Sequence, residues 1–247
     1  MRGQLAGCNR SGLLALCLGF GLVVGATLAA APMAPGSETA KAPSLESVLN
    51  QMDAAAASFQ SVEADFSWDQ YQRVVDETDT QKGKLYFRRA GKEIQMAADI
   101  TEPDKKYMLF ANGKLKVYQP RIDQVTEYDA GKDRDSVQTF LVLGFGGRGH
   151  DLAKSFKVKL AGVETVDGVR TVKLELTPKS AKARSIFDHV VLWVDAERGV
   201  SLQQQAFESS GDYRLARYSN IRLNGKVPDG VFELKTTSKT KVLRPQG

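Results

Sequence analysis

The stretch Gly83–Thr126, GKLYFRRAGKEIQMAADITEPDKKYMLFANGKLKVYQPRIDQVT, constrains the fold of this chain more than any other. Leu85–Arg89 and Glu93–Ala98 read as strands joined by a turn at Ala90–Lys92. Tyr107–Ala111 and Leu115–Tyr118 read as strands joined by Asn112-Gly113. Asn-Gly is the strongest short hairpin signal, because both residues tolerate the positive φ of a type I′ turn. Pro120 then stops the ladder, having no amide proton to donate. Such a meander does not fold alone; it needs a larger sheet with something apolar on its concave face.

The rest of the chain supplies that sheet. Val62–Val74 alternates, with Val62, Ala64, Phe66 and Trp68 on one side and Glu63, Asp65, Ser67 and Asp69 on the other, the mark of a strand with one wet face. Asp76–Thr80 reads as a polar turn into the meander, and Asp123–Tyr128 as its closing strand. Lys157–Glu164 and Val169–Thr177 form a hairpin across Val166-Asp167-Gly168. Asp188–Asp195 alternates, Ser201–Ser209 pairs with Tyr213–Leu223 across Ser210-Gly211-Asp212, and Pro228–Leu234 reads as a turn with a terminal strand. About eleven strands in a mainly β chain imply one antiparallel sheet, strongly curved or partly closed.

Two segments are not strands. Ser44 is placed to cap a helix carrying Leu45, Val48, Leu49 and Met52 at helical spacing, running to about Phe59 and lying on the sheet. Asp133–Phe156 holds a short helix capped by Asp135 or Ser136, with Val137, Phe140, Leu141 and Leu143. Gly144, Gly146, Gly147 and Gly149 follow, and a second short helix covers Asp151–Phe156. That glycine density reads as a flexible apolar segment. It fits either a lid over a cavity or a loop that fills core space.

The first 31 residues have Arg2 and Arg10 ahead of an apolar run, Leu13–Leu28, and then Ala29-Ala30-Ala31, the pattern of a cleaved secretory signal peptide. The rival, a membrane anchor, is weakened by the short glycine-broken run. Both cysteines, Cys8 and Cys17, fall inside this segment, so no disulfide or thiolate chemistry is expected in the exported protein. Leu16 before Cys17 argues against a lipoprotein attachment site. The expected layout is signal 1–31, Ala/Pro-rich linker 32–43, β domain 44–234 and a basic, fraying tail 235–247. Beyond residue 31 the charge is 32 basic against 29 acidic residues, too mild and too interleaved for nucleic-acid binding.

Motifs for catalysis are lacking. The two histidines, His150 and His189, form no HExxH or His-x-His set, and there is no GxSxG or phosphate loop. No enzyme activity, metal site or cofactor is expected.

The order GKLYFRR (Gly83–Arg89), Thr101-Glu102-Pro103, Asn112-Gly113-Lys114, Tyr118-Gln119-Pro120 and Gln124-Val125 resembles the periplasmic outer-membrane lipoprotein carrier family, LolA. Leu176-Thr177-Pro178-Lys179, Phe187–Asp195, Tyr218-Ser219-Asn220-Ile221 and Val231-Phe232 are similar to its later strands. Ala90 stands where the family has proline. The resemblance implies an unclosed β-barrel with a helical lid over an apolar cavity for lipoprotein acyl chains. It implies an inner-membrane release complex and an outer-membrane acceptor as partners, and a monomer. By position Arg89 matches the family arginine that latches the lid. The expected cavity lining is Phe66, Trp68, Leu85, Phe87, Met96, Met108, Phe110, Val117, Phe140, Leu141 and Phe145, although strand parity leaves open which half faces inward. Members with this fold also serve as lipoprotein receptors or envelope-stress sensors, so a protein-binding module is the alternative to a carrier.

Overall fold

A computed structural model describes residues 43–245 except 92, 130, 132–142 and 196. The alternating segments become twelve strands: β1 Ser61–Gln72, β2 Glu77–Ala90, β3 Glu93–Glu102, β4 Lys106–Ala111, β5 Lys114–Gln119, β6 Gln124–Asp129, β7 Phe156–Val166, β8 Val169–Pro178, β9 His189–Asp195, β10 Val200–Phe207, β11 Tyr213–Leu223 and β12 Lys241–Leu243. They form one curved sheet in the order β12-β6-β5-β4-β3-β2-β1-β11-β10-β9-β8-β7. Among the described residues β7 and β12 have no second neighbour, so the barrel stays open. The Asn112-Gly113 and Asp167-Gly168 turns both take positive φ, 54° and 72° in the first and 48° and 78° in the second.

Pairing register fixes the faces. Val62 lies opposite Phe87 and Ala64 opposite Leu85, while Phe66 and Trp68 lie beside Tyr218 and Ala216 of β11. Met96 is opposite Phe110, and Leu192 opposite both Leu174 and Gln204. Because the side-chain period is two, these inward rows put one continuous apolar surface on the concave side.

Helix α1, Leu45–Ser58, is capped as its sequence suggests: the Ser44 hydroxyl accepts from the Ser47 amide at 3.1 Å. It buries Val48, Leu49, Met52 and Ala56. Val48 and Met52 join Leu174, Leu176, Val190 and Leu192 in one core, and Phe59, just past the helix, joins Val62, Phe87, Met96 and Phe110 in a second. Helix α2, Gly149–Ser155, adds Leu152 to the first.

Several expectations are corrected. Residues 77–80 are strand, not turn: Glu77–Thr80 pair with Asp69–Gln72. Both faces of this hairpin end are wet, so no apolar alternation marks it. Pro228–Leu234 holds a 3₁₀ turn, Asp229–Phe232, rather than a strand. It is pinned because the Arg88 guanidinium lies 4.1 Å from the Phe232 ring centre and also pairs with Asp229. The tail does not simply fray: Lys241–Leu243 pairs with β6 in parallel, so the sheet is mixed rather than wholly antiparallel. Thr240 and Thr237 anchor that tail by donating to Asp123, at 2.7 and 3.2 Å. The signal segment, all of the linker but Pro43, and the first short helix except Leu143 lie outside the described residues.

Candidate functional site

The two cores do not merge. Between them lies a cavity of about 280 Å³, lined by Phe66 and Trp68 of β1, Leu85 and Phe87 of β2, Met96, Ala98 and Ile100 of β3, and Met108 of β4. The other half of the sheet contributes Val190, Gln204, Ala206, Arg214, Ala216 and Tyr218, and the connections add Leu143 and Phe187. Inward positions 98, 206 and 216 carry alanine, the smallest side chains of the lining. Burial pushes the Tyr218 phenol well above the ordinary tyrosine range.

Residues 143–146 bridge the hollow. Leu143 belongs to the α1–β8–β9 core and Phe145, two residues on, to the β2–β3 core. The Phe145 ring stacks on Phe87 at 5.4 Å and meets Tyr218 edge-on at 4.8 Å. The Leu143 carbonyl accepts from the Gln204 side chain, and the Gly144 carbonyl from the Ser201 amide at 2.9 Å. The glycines that read as flexibility serve close approach. At Gly146, with φ at 70°, a Cβ would sit 2.5 Å from the Phe59 ring. At Gly149 it would sit 2.5 Å from the Leu49 carbonyl oxygen, so only glycine lets α2 meet α1 this closely.

Two polar ties hold this assembly. Arg89 donates through Nε to the Phe59 carbonyl at 3.1 Å and through Nη2 to the Ala56 carbonyl at 3.3 Å, where it joins the Phe59 amide as a second donor at the helix end. His150, opening α2, contacts Asp53 of α1 through Nδ1 at 2.7 Å and Glu46 through Nε2 at 3.3 Å. The Asp53 hydrogen bond, and then Glu46, raise the His150 pKa above 6.5 against the effect of burial. Burial pushes Asp53 up, but hydrogen bonds from the His150 amide and ring, with Arg148 nearby, outweigh it and hold the carboxyl below 3.8. Both ring nitrogens of His150 are thus engaged by carboxylates, away from the cavity lining. His189 stacks on Phe207 at 4.4 Å and contacts Asp188 at 2.7 Å. Among the described residues no group of three or more His, Cys, Asp or Glu is placed to hold a metal, and no helix is long and apolar enough to cross a membrane.

The sequence model of the family described as outer membrane lipoprotein carrier protein LolA matches residues 57–235. The chain belongs to the LolA family. Among solved structures, the crystal structure of MucB is similar with a TM-score of 0.51 at 14% identity, over 85% of this chain and 67% of that one. An uncharacterized conserved protein from Thermus thermophilus gives 0.51 at 8% identity, over 81% and 98%. The LolA superfamily protein NE2245 from Nitrosomonas europaea gives 0.39 at 17% identity, over 78% and 99%. In structures of MucB with MucA, including one from Pseudomonas aeruginosa, the chain spans 60% of MucB. At these identities the likeness is one of fold. Among curated proteins no match was found.

Against this LolA fold the sequence-derived candidates fall into three groups. Phe66, Trp68, Leu85, Phe87, Met96 and Met108 line the cavity. Phe110 and Phe145 are packed in the adjoining core, and Val117, opposite Met108, continues the same face onto β5. Phe140 and Leu141 lie outside the described residues. Sequence reasoning missed the β9–β11 contribution. The alternation of Val190, Leu192 and Val194 was visible, but nothing in the sequence says that β11 pairs with β1 and brings this half across the hollow.

Proposed function

We propose that this LolA-family protein is a periplasmic carrier that shelters lipoprotein acyl chains in the concave cavity, delivered by an inner-membrane release complex and passed to an outer-membrane acceptor. The observation that carries the reading is an apolar hollow left open inside an otherwise well-packed half-barrel. Exposed acyl chains cost roughly 0.8 kcal/mol per CH₂ in water, so a lipidated protein needs such shelter to cross an aqueous compartment. An apolar cavity of about 150 Å³ takes up benzene. By that scale about 280 Å³ admits roughly eleven carbon atoms, part of one acyl chain. Longer or additional chains require Leu143 and Phe145 to withdraw, which makes residues 143–146 a displaceable plug and Arg89 its latch through α1. No reaction is assigned to the site; its work is binding and release.

The test is displacement of an apolar fluorescent probe from the purified protein by a lipoprotein or its acyl chains, with native mass spectrometry of protein taken from the envelope. Probe displacement and co-purified lipid or lipoprotein support the carrier. A protein that binds no probe and emerges with a stoichiometric protein partner is instead a binding module of the same fold.

A further inference from the structure

The cavity is not apolar throughout. Among the described residues its lining includes one charged side chain, Arg214, on the inward row of β11 that runs Tyr218, Ala216, Arg214. The guanidinium carbon lies 5.7 Å from the Phe187 ring centre, and Nη2 pairs with Glu208 at 3.0 Å. The side chain is 38% exposed, so the group stands at the mouth, yet its Nε is buried and has no acceptor among the described residues. A buried donor without an acceptor destabilises the empty state, and an arriving oxyanion relieves it. Arginine is suited to this because its planar fork matches carboxylate and phosphate oxygens.

We propose that the site takes a single-chain amphiphile with an anionic head, the tail lying against Phe66, Phe87 and Met96 and the head accepting from Arg214 beside Phe187. This rests on the reading of the cavity as an acyl-chain site and adds a second ligand class to it: a neutral acyl ester, as on a lipoprotein, offers Arg214 only a weak carbonyl acceptor, whereas a carboxylate or phosphate monoester offers charge. Glu208 is the internal competitor, occupying the outer edge of the same guanidinium.

Three ligands with one tail separate the possibilities: dodecanol, dodecanoate and dodecyl phosphate, each used below its micelle concentration to displace an apolar fluorescent probe. At least one anion binds roughly tenfold tighter than the alcohol, and which anion identifies the head. Arg214→Gln brings the anion-to-alcohol affinity ratio to about one, and Arg214→Lys leaves part of it. Glu208→Gln raises the ratio, and folding of each variant is checked by its thermal transition. If all three ligands displace the probe equally and Glu208→Gln leaves the ratio untouched, the head-group assignment is overturned while the acyl cavity stands. If none displaces the probe, the cavity reading fails and this one with it.

Discussion

Arg89 and His150 each join α1 to a different part of the molecule, and they were legible to different degrees. Arg89 was found only through a family motif; its carbonyl partners, Ala56 and Phe59, lie 33 and 30 residues away. Replacing it with glutamine takes the guanidinium donor from the Phe59 carbonyl and leaves Ala56 with the Phe59 amide alone. The expected loss is about 1–3 kcal/mol, read as a lower melting temperature, with faster exchange of bound probe. His150 looked isolated because Asp53 and Glu46 are 97 and 104 residues distant. Its raised pKa means its contribution to stability is complete below about 6.5 and fades as pH climbs through the raised value. Asp53 has the opposite sign, contributing above 3.8 and losing that as pH falls through its lowered value. The melting-temperature advantage of the native protein over His150→Gln should therefore shrink as pH rises from below about 6.5 through the raised value. A difference that stays flat across that range would show that the contact does not depend on the imidazolium.

Elements with an apolar alternation or a turn signal were readable, and those lacking both were not. β1 and the Asn112-Gly113 hairpin follow from period two and turn chemistry, and β9 from its apolar run, although that strand is buried on both faces. The start of β2 is polar on both sides, and β12 is three residues long with no pattern of its own. The glycine-rich connection left its role open for another reason: composition records missing side chains but not the backbone that takes their place. The α1–α2 contact makes this testable. Gly149→Ala should cost about 1–3 kcal/mol, because the new Cβ meets rigid backbone at Leu49. Gly225→Ala, where nothing lies within 4 Å, should stay within about 0.5 kcal/mol in the same denaturation experiment.

At the scale of the molecule, the open mixed sheet and its hollow are one feature. Two cores, one under each half of the sheet, leave room beside the small side chains of Ala98, Ala206 and Ala216, and residues 143–146 span it. A homologous series of single-chain ligands measures that room. Affinity should rise about fourfold per methylene up to roughly eleven carbons, then more slowly, as further length has to dislodge Leu143 and Phe145. An unbroken rise to sixteen carbons in the titration would mean that the bridge offers no resistance.

The pairing of β1 with β11 also bears on when the protein becomes competent. Asn220 donates to Asp65 at 2.7 Å across 155 residues of sequence, and the strands on either side of that seam carry opposite walls of the hollow. Closing so long a loop is slow compared with forming the neighbouring hairpins. The β1–β6 meander therefore carries only one wall of the hollow until that loop closes. The hollow itself comes into being only when an early strand and a late one meet.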